Sequence, residues 1–99
     1  MKDDALDRDV AAAVAEYERI IGGYASYTHR MLEQLGPVTA LTRLMSDSKI
    51  QKGLKTLARA GRLEISFEAV VLKHRSAFSK GTAEAAEWRL ERARRGDFD

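Results

Sequence analysis

The sequence predicts an all-α domain, a compact bundle of four to five helices built on a long N-terminal helix. Three observations carry that prediction. Val10, Val14, Tyr17, Ile21, Tyr24, Thr28, Met31 and Leu35 recur at alternating spacings of four and three, the pattern of one apolar helix face. Gly36-Pro37 joins a residue suited to ending a helix to one suited to starting the next. Ser48, Ser66 and Ser79 stand ahead of later apolar runs, where a hydroxyl caps a helix.

The whole-chain properties set limits. With 99 residues, 44% of them apolar and 32% charged, the chain is expected to form a single soluble domain over residues 1–99. No apolar run approaches the eighteen or so residues needed to span a bilayer, so no membrane partner is expected. The start, Met1-Lys2-Asp3-Asp4, has no apolar core of a secretory signal. The absence of cysteine removes disulfide and thiolate chemistry and fits a cytoplasmic location.

The first helix is expected over about residues 5–35. Its thirty or so residues would reach roughly 45 Å. The positions flanking its apolar face, among them Ala11, Ala13, Ile20, Ala25, Tyr27 and Leu32, are themselves mostly apolar. That widens the face beyond a coiled-coil seam and favours packing in a bundle, with homo-oligomerisation through this helix expected. Gly22-Gly23 interrupts it, each glycine costing about 1 kcal/mol in a helix interior. A weak spot, a kink and a break into a helical hairpin all stay open.

Beyond Gly36-Pro37, a segment of helix-turn-helix type is expected over about 37–61. Its first helix turns Val38, Leu41, Leu44 and Met45 inward. Ser46-Asp47-Ser48 makes the turn, and Ser48 with Gln51 forms a capping-box pattern. The next helix carries Ile50, Leu54, Leu57 and Ala58 on one side and ends at Gly61. Arg62 to Glu68 alternates polar and apolar residues, which reads either as a short strand or as the approach to a helix capped by Ser66. The helix is preferred, because no hairpin turn follows. The C-terminal helices are expected within about 66–95, with Val70, Val71 and Leu72 buried and the last helix capped by Ser79 or Thr82.

Charge is uneven along the chain. Asp3, Asp4, Asp7, Asp9, Glu16 and Glu18 dominate the start, whereas cations dominate between Arg43 and Lys80. On a helical wheel Lys52, Lys55, Arg59 and Arg62 fall opposite the apolar side of the third helix, with Lys49 at the edge. Such a row suits phosphates, and with Arg43 it predicts a face for double-stranded DNA. The run Leu54-x-x-Leu57-x-x-x-Gly61-x-Leu63 also resembles the end of a recognition helix in winged-helix DNA-binding domains. A solvated amphipathic face explains the same residues.

The alternative is an adaptor, inhibitor or accessory subunit working through a protein partner. Tyr17, Tyr24 and Tyr27 lie along the first helix, and Trp88 falls off the stripe of Ala83, Ala86 and Leu90. Aromatic residues of this kind anchor interfaces, although Trp88 also suits a helix buried on two sides. Enzymatic signals are poor, and no catalytic residue is assigned. Neither His29 near Ser26 nor His74 near Ser76 has a carboxylate spaced to complete a triad. Two histidines without cysteine or HExxH predict no metal site. No GxGxxG or GxxxxGK[ST] loop is present, so no cofactor is expected.

Gly61-Arg62-Leu63-Glu64-Ile65-Ser66-Phe67-Glu68-Ala69-Val70-Val71-Leu72, followed by Phe78 and by Ala86 to Arg92, resembles a run shared by small stand-alone bacterial proteins of uncharacterised function. The likeness covers about residues 30–95. It implies a bacterial, mostly helical domain and carries no functional residues with it.

Overall fold

The computed structural model describes residues 4–47 and 52–97. Among them the chain forms five α-helices and no strand: α1 Asp4–Ile21, α2 Ser26–Met45, α3 Lys52–Arg59, α4 Phe67–Lys73 and α5 Lys80–Arg94. Short 3-10 turns at Leu63–Ile65 and Arg75–Ala77 precede and follow α4. The expected all-α bundle is what the chain forms.

The long first helix over 5–35 is corrected. Gly22, at φ +66°, takes the chain out of the helix. Its amide donates to the Glu18 carbonyl at 2.9 Å, closing the last turn as a glycine C-cap does. Four residues later α2 begins. A helix of about 45 Å would also exceed the longest dimension of the molecule, 38 Å. With the break, the apolar face changes course. Leu6, Val10, Ala13 and Val14 are buried, whereas Ile21 and Tyr24, predicted on the same face, are exposed.

Gly36-Pro37 behaves as expected. Gly36 adopts φ 79°, ψ 165° inside α2, a conformation open to glycine alone. It divides α2 into two arms, with Pro37 opening the second, where the missing N–H costs nothing. Leu41 and Met45 of that arm are buried and Leu44 is half-buried, but Val38 is exposed and Ala40 takes the inner position. The capping box at Ser48 and Gln51, together with Ile50, lies outside the described residues.

The downstream caps follow the sequence closely. The Ser66 hydroxyl accepts the Ala69 amide at 3.1 Å, so the segment before it is a 3-10 turn entering a helix, and the strand reading is overturned. Ser79 likewise accepts the Thr82 amide at 3.1 Å. Buried Val70 and Val71 of α4 meet Ala86 of α5 and the inner faces of α1 and α2 in one cluster. Each fully buried large aliphatic side chain contributes about 1.5–3 kcal/mol. Leu54 of α3 and Ala93 of α5 make a second, smaller cluster with Ala58 and Leu63.

One feature of the core is charged. Arg89, the largest fully buried side chain, lies beneath α5 with Glu68 of α4. Arg89 Nη2 donates to the carbonyls of Leu44 at 2.9 Å and Asp47 at 3.0 Å. It thereby satisfies helix-end acceptors that α2 itself leaves open. Its Nε lies 3.9 Å from Glu68 Oε2, so this guanidinium ties α2, α4 and α5 together.

Candidate functional site

The most exposed large apolar side chains near one another in sequence sit at the corner between α1 and α2: Ile21, Tyr24 at 68% and Tyr27 at 70% exposure. The corner is held from α1. Glu18 Oε2 accepts the Ala25 amide at 2.7 Å and lies 3.0 Å from His29 Nε2. Ala25, at the cap position of α2, has no capping side chain of its own, and Glu18 supplies that acceptor from the preceding helix. The Ala25 amide, followed by His29, holds the Glu18 carboxyl below its ordinary range. Tyr24 stacks on the His29 ring, with centroids 4.4 Å apart and planes 5° from parallel. The aromatic pair is therefore mounted on a braced turn.

Beside this corner is a cavity of about 240 Å³. Ala13, Val14 and Tyr17 of α1 form one wall, and Thr28, Leu44 and Met45 of α2 another. Gly53, Leu54 and Leu57 of α3 with Phe67 of α4 complete its mainly apolar lining. Tyr27 and Lys52 reach both cavity and solvent, and Glu68 contributes a buried carboxyl. Burial pushes the Glu68 carboxyl up, against the opposing pull of its own backbone amide and of Arg89.

The cavity also alters the expected helix-turn-helix. In such a motif the two helices meet across a short turn. Here α3 packs chiefly on α1 and α5 and only slightly on α2. Leu44 and Met45 at the end of α2 share the cavity with Gly53, Leu54 and Leu57 rather than closing it. The elements match the sequence pattern, but they do not form the tightly packed unit.

The six cations predicted to meet DNA are treated differently by the fold. Arg43, Lys52 and Arg59 are exposed, Lys55 and Arg62 are half-buried, and Lys49 lies outside the described residues. Arg62 is engaged within the chain. Its Nε donates to Glu64 at 2.7 Å, and its Nη1 lies 3.0 Å from Glu16 of α1. Glu64 and then Glu16 hold its guanidinium above the ordinary range. Of the predicted interface aromatics, Tyr24 and Tyr27 are at the corner, and Tyr17 is half-buried on the cavity wall. Trp88 stands on α5, 49% exposed, with the Arg92 guanidinium 4.6 Å from its ring centroid.

Both histidines have carboxylate partners that the local sequence does not reveal. His29 meets Glu18, and His74 Nε2 lies 2.6 Å from Asp9 Oδ2. Asp9 also pairs with Lys73 at 3.0 Å. His74 and then Lys73 hold the Asp9 carboxyl below its ordinary range. A carboxylate shared between two cationic partners serves as a brace between α1 and α4. Among the described residues no group of three or more His, Asp or Glu is placed to hold a metal ion, and no helix is long and apolar enough to cross a membrane. Comparison of the chain with protein-family models, curated proteins and solved structures gives no match.

Proposed function

We propose that the chain is a small non-enzymatic accessory protein that works through protein contacts, with the α1–α2 corner as its docking surface. What carries this reading is the pair Tyr24 and Tyr27, both about two-thirds exposed on a turn braced by Glu18. Rigid aromatic side chains lose little entropy on binding and commonly anchor interfaces. Ile21 extends the apolar area beside them, and Trp88 offers a further anchor on α5. The test is co-purification of a tagged chain from the cells it comes from, compared with Tyr24→Ser/Tyr27→Ser. A protein recovered with the native chain and lost with the variant is expected. An identical set of recovered proteins would contradict the reading.

Nucleic-acid binding is the second reading, favoured by exposed Arg43, Lys52 and Arg59. Glu16 and Glu64 on Arg62 weigh against it, because they place carboxylates beside the cation row. A labelled random-sequence duplex, titrated with the chain at low and moderate salt, decides it. Binding that falls steeply with log salt would favour this second reading, since each phosphate contact releases counterions.

A further inference from the structure

We propose that the cavity between α1, α2, α3 and α4 is a binding site for a small aromatic molecule with a hydrogen-bond donor on its ring and an anionic substituent. This site is separate from the docking corner, although Tyr27 borders both.

Size comes first. The cavity, about 240 Å³, exceeds the roughly 150 Å³ that suffices for a benzene-sized guest. Its volume therefore suits a fused two-ring system. Walls built from Val14, Leu54, Leu57 and Phe67 give water few partners, and apolar space of that kind is filled more favourably by an apolar guest. Tyr17 and Phe67 add ring surfaces that favour an aromatic one.

Chemistry then narrows the guest. Glu68 is the one acidic side chain among the described lining residues, and it is 3% exposed. Its separation from Arg89, 3.9 Å, is longer than a hydrogen bond. A ring N–H or O–H reaching Glu68 would give this buried carboxyl a direct donor, which buried acceptors strongly favour. At the other end Lys52 lines the cavity and is exposed to solvent. A cation at the mouth suits a carboxylate left outside while the ring enters.

Gly53 supplies the means of testing this. A Cβ added there would meet only the Tyr17 ring, at an ordinary 3.7 Å, so a larger side chain enters the cavity without colliding with backbone. The experiment is amide NMR of the full chain titrated with indole-3-acetate as probe. Saturable shifts at Gly53, Leu57 and Thr28 are expected. The donor-free probes 1-methylindole-3-acetate and naphthalene-1-acetate should bind about tenfold more weakly, the cost of one lost hydrogen bond to a charged group. Lys52→Ala should weaken indole-3-acetate while leaving indole unchanged, and Gly53→Leu should abolish binding of both with the helical circular dichroism retained. Absence of saturable shifts at millimolar probe would overturn the proposal, as would equal affinity for donor-bearing and donor-free probes. The probe comparison needs no variant, so a Gly53→Leu chain that failed to fold would leave the test intact.

Discussion

Glu18 of α1 caps the start of α2 from outside that helix, its Oε2 lying 2.7 Å from the Ala25 amide nitrogen. The same oxygen reaches His29 one turn further along, so a single carboxylate fixes the angle at which the chain reverses. Replacing it removes the acceptor and leaves two donors at the corner. Glu18→Ala should lower the Tm, and amide exchange should rise at Ala25 and His29 before it rises in α5.

The sign of the pH effect follows from the same contacts. The folded Glu18 carboxyl lies below its ordinary value of 4.5. The folded state therefore holds its proton less tightly than the unfolded state does, and the stabilisation is present above that ordinary value. It is lost as pH falls through the lower, folded value. Thermal melts of the native chain and Glu18→Gln should differ at neutral pH and converge on acidification. A difference that grew in acid would contradict this.

Glu68 has the opposite sign. Burial raises its carboxyl above 4.5, so its contribution is most favourable in acid and declines as pH rises through the folded value. Melts of the native chain against Glu68→Gln should shift toward the variant as pH increases. Arg89→Ala removes the donor to the Leu44 and Asp47 carbonyls and strips Glu68 of its cation. Breaking one member of a buried pair costs about 3–5 kcal/mol. Urea unfolding of Arg89→Ala should show a loss of that order, and a loss below about 1 kcal/mol would remove Arg89 from its role as tie.

Two glycines in helical segments should respond in opposite directions. Gly36 sits at φ 79°, ψ 165°, so Gly36→Ala should destabilise by about 1–3 kcal/mol. Gly53 lies within α3 with room for a Cβ, so Gly53→Ala should stabilise by about 0.5–1 kcal/mol. Denaturant midpoints for the two variants check both signs.

These outcomes mark where the sequence was legible. Caps depend on a side chain and a backbone amide two or three residues away, so Ser66, Ser79 and Gly36 declared their helix ends directly. The break at Gly22 was visible only as an option. What settles it is Glu18 reaching Ala25 across the turn, a contact made once the hairpin exists. The last helix misled in an instructive way. Its outward residue is Trp88 and its inward residue is Arg89, because the open carbonyls at the end of α2 make a buried guanidinium favourable. The spacing held a signal: Arg89 follows Ala86 by three and precedes Ala93 by four, on the stripe that Ala83 and Leu90 define. The cavity left no trace in the sequence, since it arises from helices that meet α3 from different parts of the chain.

Tyr24 and Tyr27 are exposed enough that serine at either position should change stability by no more than about 0.5 kcal/mol. That makes loss of binding separable from loss of fold. Unchanged circular dichroism and denaturant midpoint for Tyr24→Ser/Tyr27→Ser check this, and a large drop would assign the pair to the core instead.

The docking surface is tested most directly by placing a photo-reactive phenylalanine analogue at position 24 or 27 and irradiating the chain in its own cells. Position 84 on α5, exposed and remote in sequence from the corner, serves as control. A discrete cross-linked species from positions 24 and 27, absent from position 84, is the predicted result, with its mass telling a second copy of the chain from another protein. Cross-linking that is absent from the corner, or equal at all three positions, would contradict it.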